Sequence, residues 1–302
     1  MLFRSANFLG SGAAGLIGGA ILRHFEGQDF VTFPIVGNVA VWQSLFIYVG
    51  TPGLLLAVLI LTMREPKRIV ATPTTMVGDD ASWGAFFRHI AKYKWAFICA
   101  LGTSSMVTYT AYTCIPWMPT YLVRNFGYSP GQAGILQGYV SLAAGVLGCI
   151  VTGIVGDFFT KHDRTGGRLR VSAFCWPPLV IPGLLLLTLS HSAVFAMLGW
   201  GLFQLGNGLS FGSAYAIIQE IVPPRLKGRA TALWYLTNSL GTSLGTLVTA
   251  LGTDFLFKNP AAIPQAIQTM ATPSVILGII FMWSGLKPFD RARHAVHDVH
   301  PG

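Results

Sequence analysis

Long apolar blocks dominate this sequence and limit what it can fold into. Most of them run for about 17–25 residues, which matches the ~20-residue helix that crosses ~30 Å of hydrocarbon. Only 10% of the 302 residues are charged, whereas soluble domains contain about 25%. So few charges cannot solvate the surface of a globule of this size. The pattern therefore predicts an all-α membrane protein, built as a bundle of transmembrane helices.

The apolar blocks predict eight membrane-spanning helices. Their approximate ranges are 6–22, 42–62, 96–122, 133–156, 171–189, 195–219, 231–253 and 270–286. All four cysteines lie inside these blocks and none forms a CxxC pair, so we predict small buried side chains and not a disulfide framework.

The positions of the basic residues predict the orientation of the chain. An even number of spans places both termini on the same side of the membrane. With a cytoplasmic N-terminus, seventeen of the 20 Lys and Arg residues are cytoplasmic, and only Arg23, Arg124 and Lys258 lie outside. This is the bias that the positive-inside rule describes for short loops. We therefore expect both termini in the cytoplasm, and a bacterial inner (plasma) membrane as the location.

The formal net charge of +9 invites comparison with nucleic-acid-binding proteins. The basic residues lie between apolar blocks, however, and form no soluble basic domain, so nucleic acid is excluded as a partner. The expected partners are a small-molecule solute and membrane lipids. Basic loop residues such as Arg64, Lys67 and Arg68 suit anionic lipid head groups.

The first apolar block is rich in glycine. Gly15 and Gly19 form a GxxxG pair, which predicts close packing against another helix. Gly10, Gly12 and Gly15 also fit GxGxxG, but without a preceding strand or a following βαβ unit this does not indicate a dinucleotide site. A secretory signal peptide is an alternative, because Arg4 precedes an apolar stretch that ends in small residues.

An internal repeat indicates two related halves. Residues 49–60 (VGTPGLLLAVLI) align with residues 270–281 (MATPSVILGIIF), and each segment is followed by a second proline and an arginine. The second and eighth spans are then equivalent, so each half should hold six helices, and a parent protein of about 430 residues with twelve spans is expected.

The expected division is 1–62 for the last two helices of the N-terminal half, 63–95 for a cytoplasmic linker, 96–289 for the C-terminal six-helix half, and 290–302 for a cytoplasmic tail.

Three segments resemble the major facilitator superfamily, and within it the spinster-like branch. They are residues 42–68 (WQSLFIYVGTPGLLLAVLILTMREPKR), 117–124 (WMPTYLVR) and 222–230 (VPPRLKGRA). The resemblance implies helices 5–12 of a twelve-helix transporter that lacks roughly the first four helices. It also implies that coupling to a proton or sodium gradient depends on those missing helices.

A degraded copy of the superfamily's G-x-x-x-D-R-x-G-R-R loop occupies residues 153–170, with Phe158 where arginine is usual. A carboxylate at a helix end can pair with arginines of neighbouring loops and hold the cytoplasmic face closed. We predict Asp157, Glu220, Arg225 and Arg229 as cytoplasmic gate charges. Charges that only stop translocation are the alternative.

The seventh span carries seven polar residues on one helical face. They are Thr231, Tyr235, Asn238, Thr242, Thr246, Thr249 and Thr253. Because polar groups are costly against lipid, the stripe should face other helices or a cavity. The predicted substrate-pathway residues are Tyr112, Gln137, Asn207, Tyr235, Asn238 and Thr242. Polar helix–helix contacts are the competing interpretation for each of them.

These features favour a secondary active transporter that moves a small organic or amphipathic solute by alternating access. The alternatives are a transport-incompetent fragment of such a carrier, or a carrier of organic anions from another major facilitator branch. No cluster for intramembrane catalysis is evident, so no enzyme activity and no cofactor are expected. His294, His297 and His300 are expected in a solvated tail without fixed geometry, and not as metal ligands.

Overall fold

The computed structural model describes residues 2–34, 37–62, 82–161 and 167–299. Long helices dominate these ranges. In chain order the elements are α1 (Leu2–His24), β1 (Phe30–Phe33), β2 (Gly37–Ala40), α2 (Val41–Leu61), α3 (Trp83–Lys92), α4 (Lys94–Cys114), α5 (Met118–Phe126), α6 (Pro130–Lys161), α7 (Gly167–Leu189), α8 (Ala193–Glu220), α9 (Lys227–Leu251) and α10 (Ile263–Val299).

The predicted all-α membrane fold is confirmed, since each of the eight spans contains all or most of one long helix: α1, α2, α4, α6, α7, α8, α9 and α10. Among the residues that the structure describes, four segments are long and apolar enough to cross a membrane: Val41–Leu61, Pro130–Val155, Arg168–Leu189 and Ile263–Val296. The other four helices, α1, α4, α8 and α9, also carry glycine, hydroxyl and amide residues among their apolar ones. Such residues are typical of helix faces that pack against protein instead of lipid.

The structure differs from the predicted spans at three places. The third span, predicted as one helix over 96–122, consists of α4, a 3₁₀ turn over Ile115–Trp117 and α5. The helix breaks there because Pro116 and Pro119 lack the backbone N–H that would continue it. An unpredicted hairpin, β1 with β2, follows α1. Finally, α10 continues to Val299, so most of the predicted tail is helical, and His294 lies 3.6 Å from Asp290 one turn earlier.

Glycines bring α1 and α6 into backbone contact, as the GxxxG pair predicted. A Cβ atom at Gly19 would lie 2.6 Å from the backbone nitrogen of Ile135, and one at Gly138 would lie 2.7 Å from that of Leu16. Gly15 and Gly134 face each other in the same seam. Because the GxGxxG residues lie inside a helix, they do not form a phosphate-binding turn.

Two apolar clusters form the interior of the part of the chain that the structure describes. One surrounds Trp176, Trp200 and Phe203 and connects α4 to α8 and α10. The other surrounds Phe97 and Phe289 at the end of the bundle where α3 docks. The leucines opposite the polar stripe of α9 are mostly exposed, at 50–60% for Leu236, Leu240, Leu244 and Leu247, as expected for side chains that face lipid.

Candidate functional site

A cavity of about 80 Å³ lies where α1 meets α4 and α8. It is lined by Ser11, Val107, Thr108, Ala111, Tyr112, Ile115, Gln204, Asn207 and Phe211. Ser11 and Gln204 both lie near the middle of their helices, so the cavity lies near mid-membrane depth. Polar and apolar side chains share its wall, and this mixture suits a solute that has both characters.

Two amides of α8 contribute to the cavity wall. Both polar atoms of the Asn207 amide have a partner, because its Oδ1 accepts from Trp176 Nε1 at 3.3 Å and its Nδ2 donates to the carbonyl of Phe203 at 2.9 Å. Gln204 is 2% exposed and donates from Nε2 to Ser141 Oγ at 3.2 Å. Its Oε1 has no hydrogen-bond partner among the described residues. Gln204 was not predicted as a site residue, although it lies three positions before Asn207 on the same helical face.

Asn238 connects α9 to α4 directly behind this wall. Its Oδ1 accepts from Ser104 Oγ at 3.1 Å and from Thr108 Oγ1 at 2.5 Å, and its Nδ2 donates to the carbonyl of Trp234 at 2.8 Å. Asn238 is 8% exposed. Since Thr108 also lines the cavity, the polar stripe of α9 reaches the cavity through this hydroxyl.

Further contacts bind α9 closely to α4. A Cβ atom at Gly245 would meet the Tyr109 carbonyl oxygen. Thr249 donates from Oγ1 to the carbonyl of Thr113 at 3.0 Å. The stripe therefore faces another helix at Asn238 and Thr249, as the helix-packing interpretation requires.

The other predicted pathway residues occupy different positions. Tyr112 lines the cavity beside Asn207. Gln137 donates from Nε2 to the carbonyl of Ile115 at 3.0 Å, and this carbonyl cannot receive the usual helical bond because the residue four positions on is Pro119. Tyr235, which is 60% exposed, and the half-buried Thr242 lie outside the cavity lining. The roles of all six residues in a pathway stay predictions.

The predicted gate charges lie near the ends of α6, α8 and α9. Glu220 Oε1 lies 3.0 Å from Arg168 Nε at the start of α7, an ion pair that joins α7 to α8. The Arg229 guanidinium lies 5.2 Å from the ring centroid of Trp83, in a cation–π contact that joins α9 to α3. Arg225 is exposed. The side chain of Asp157 lies outside the described part of the chain.

Helix α3 docks on the same end of the bundle. Phe86 is 1% exposed, and His89 Nε2 lies 2.8 Å from the carbonyl of Ile221, just after α8. The pKa of His89 lies below its ordinary value, chiefly because burial disfavours the charged imidazole. The hydrogen bond to Ile221 raises the pKa in part, and the nearby charges of Lys92 and Arg225 lower it. The imidazole is therefore neutral at pH 7 and donates its Nε2–H to that carbonyl.

One family model and several known proteins resemble this chain over much of its length. The sequence model of the Major Facilitator Superfamily matches residues 2–246 and 104–297. An MFS-type efflux pump of Mycolicibacterium smegmatis is 24% identical over 281 residues, covering 89% of this chain and 59% of the pump. A probable galactarate/D-glucarate transporter of Bacillus subtilis is 26% identical over 242 residues, covering 68% of this chain and 52% of that protein. The chain thus spans between half and three fifths of these two relatives.

Solved structures give the same picture of the fold. A bacterial homolog of the human lysosomal transporter spinster, inward-facing and unoccupied, superposes with a TM-score of 0.59 at 22% identity. The superposition covers 98% of this chain and 68% of that one. The occupied inward-facing form gives a TM-score of 0.55. The predicted resemblance to the spinster-like branch is confirmed at the level of the fold.

Proposed function

Because this chain belongs to the major facilitator superfamily, we propose that it forms the solute pathway of a secondary active transporter that works by alternating access. The observation that carries the proposal is the cavity at mid-membrane depth between α1, α4 and α8. In transporters built from repeated halves, the solute site lies at the interface of the halves near the membrane midplane. Helices α1 and α2 would end the first half, and α4 to α10 would form the second, joined by the linker that contains α3.

The arrangement of α1 against α6 suggests which side is closed. With a cytoplasmic N-terminus, the contact of Gly131 with Arg23 lies at the outer membrane surface, and the contact of Gly12 with Leu142 lies near the midplane. The glycine seam therefore closes the outer half of the pathway. An inward-facing state fits this closure, and rocking of the halves would have to open the seam.

The ion pair of Glu220 with Arg168 would act at the cytoplasmic side. Together with Asp157, Arg225 and Arg229 it would hold the inner ends of the second half in register when that side closes. Arg168, which was not among the predicted gate charges, would be part of this gate because it pairs with Glu220. Coupling to a proton or sodium gradient is part of the proposal.

Membrane lipids are the second proposed partner. Trp83 and Phe87 are exposed on α3, at 57% and 61%, and their rings stack with centroids 6.1 Å apart. Arg88 and Lys92 are exposed on the same helix. Aromatic and basic side chains on one short helix suit the head-group region of an anionic leaflet. This position agrees with cytoplasmic termini in a bacterial inner membrane.

An amphipathic solute fits the cavity best, because none of its described lining residues is charged. A carrier of organic anions is the second candidate, since two relatives are named for sugar acids: the Bacillus subtilis transporter and a probable L-galactonate transporter of Escherichia coli, 22% identical over 49% of its length. A fragment without transport activity is the remaining alternative.

A transport assay separates these candidates. The gene product that contains this chain would be placed in proteoliposomes with an imposed proton or sodium gradient and given a fluorescent lysophospholipid or radiolabelled galactonate. We expect gradient-driven accumulation of the lysophospholipid, reduced at least tenfold by Tyr112→Ala because the variant removes a side chain from the cavity wall. Leu244→Ala, at a 50% exposed position on α9, is the control and should transport normally.

The other outcomes are equally informative. Accumulation of galactonate alone would replace the amphipathic solute with an organic anion. No gradient-driven flux of either solute would leave the fragment interpretation standing.

A further inference from the structure

The amide of Gln204 is only half satisfied. Its Nε2 donates to Ser141, while its Oε1 has no partner among the described residues, although the side chain is 98% buried. Buried polar atoms in folded proteins are nearly always hydrogen-bonded, because they have lost water as a partner. An unpartnered acceptor on a residue that lines a cavity is therefore a candidate for hydrogen bonding to a ligand.

The other amides of α8 lack this property. Asn207 uses its Oδ1 and its Nδ2 on Trp176 and the Phe203 carbonyl, and Gln219 donates to Thr231 Oγ1 at 2.7 Å. The hydroxyl of Thr108, which also lines the cavity, gives its hydrogen to Asn238. Gln204 is thus the α8 amide that lines the mid-membrane cavity and also has a buried oxygen without a partner among the described residues.

We propose that Gln204 Oε1 accepts a hydrogen bond from a hydroxyl group of the transported solute. The apolar body of the solute packs against Val107, Ala111, Ile115 and Phe211, which are the aliphatic and phenyl side chains of the wall. The solute class is a hydroxyl-bearing amphipathic molecule with a narrow apolar chain, since the cavity volume is only about 80 Å³. This inference rests on the proposed transport function and narrows its substrate class.

A matched pair of probes tests the proposal. 1-Hexanol and pentyl methyl ether are isomers of similar shape, but only the alcohol can donate a hydrogen bond. Dissociation constants for the gene product in lipid nanodiscs would be measured by ligand-detected NMR, with empty nanodiscs as the reference for partitioning. We expect the alcohol to bind about tenfold more tightly than the ether, because the ether leaves Oε1 buried without a partner.

Variants then assign the preference to one atom. Gln204→Met keeps the length of the side chain and removes the acceptor, so the two probes should bind within about twofold of each other. Gln219→Met is the control, because it changes the same residue type on the same helix outside the cavity, and the tenfold preference should persist.

Four results would overturn the proposal. They are equal binding of the two probes by the unmodified protein, binding of neither, tighter binding of the ether, and a preference for the alcohol that survives in Gln204→Met. The first three need no variant, so a folding defect cannot obscure them. If transport in proteoliposomes persists while the alcohol shows no preference, only the role of Gln204 fails; if transport is absent, the proposed function fails independently.

Discussion

Replacing Gly19 with leucine is expected to separate α1 from α6. Even a Cβ atom at Gly19 would lie 2.6 Å from the Ile135 nitrogen and 2.8 Å from the Gly131 carbonyl oxygen, and backbone atoms cannot move aside as a flexible side chain can. Overpacking of this kind costs at least ~1–3 kcal/mol, and a leucine branch adds more atoms to the same space. We expect about a tenfold loss of monodisperse protein after detergent extraction, measured by fluorescence-detected size exclusion.

The adjacent glycine provides a matched control. A Cβ atom at Gly18 would have no neighbour within 4 Å, so Gly18→Leu should be recovered like the unmodified protein. Leucine itself is well tolerated in membrane helices. Equal recovery of the two variants would show that α1 does not pack against α6 through this seam.

The second large effect is expected for Asn238→Leu, which should reduce transport at least tenfold while membrane insertion stays intact. The variant removes the acceptor shared by Ser104 and Thr108, and Thr108 is part of the cavity wall. One interhelical hydrogen bond in a membrane contributes about 0.6–2 kcal/mol, which is enough to move a wall helix but not to prevent folding. Initial transport rates, normalised to the amount of inserted protein, provide the measurement.

Two further variants test this explanation. Thr108→Val breaks the same hydrogen bond from α4 and should reproduce the defect, and the double variant should add little to it. Leu240→Ala, on the exposed side of α9, should transport normally. Unchanged transport by Asn238→Leu at normal expression would assign the polar stripe to helix packing alone.

The spans were predictable because a helix needs about 20 mostly apolar residues to cross the hydrocarbon of a membrane. The break in the third span was missed because its apolar pattern continues through Pro116 and Pro119, while the two prolines interrupt the backbone bonds. The hairpin after α1 was also missed. Its strands, Phe30–Phe33 and Gly37–Ala40, have only four residues each, too few for a clear alternation of polar and apolar positions.

The site was predictable only in part. Periodicity indicated that Asn238 faces inward, but its partner Thr108 lies 130 positions away, and no local pattern specifies such a pair. Gln204 was overlooked because the sequence alone does not distinguish it from the other amides of the same block, Asn207 and Gln219. What distinguishes it is one unpartnered oxygen, and this depends on the three-dimensional positions of Ser141 and the cavity wall.

Alternating access through the mid-membrane cavity is tested most directly by labelling Tyr112→Cys from each side of the membrane. The variant would be made in a background without the four native cysteines and treated with a membrane-impermeant maleimide, with Arg124→Cys and Arg64→Cys as references. We predict labelling of Arg124→Cys only from outside, of Arg64→Cys only from the cytoplasm, and of Tyr112→Cys from both sides, because the two states expose the cavity in turn. If Tyr112→Cys is labelled from one side only under every gradient, alternating access through this cavity is contradicted. If both reference cysteines are labelled from the same side, the predicted orientation of the chain is contradicted.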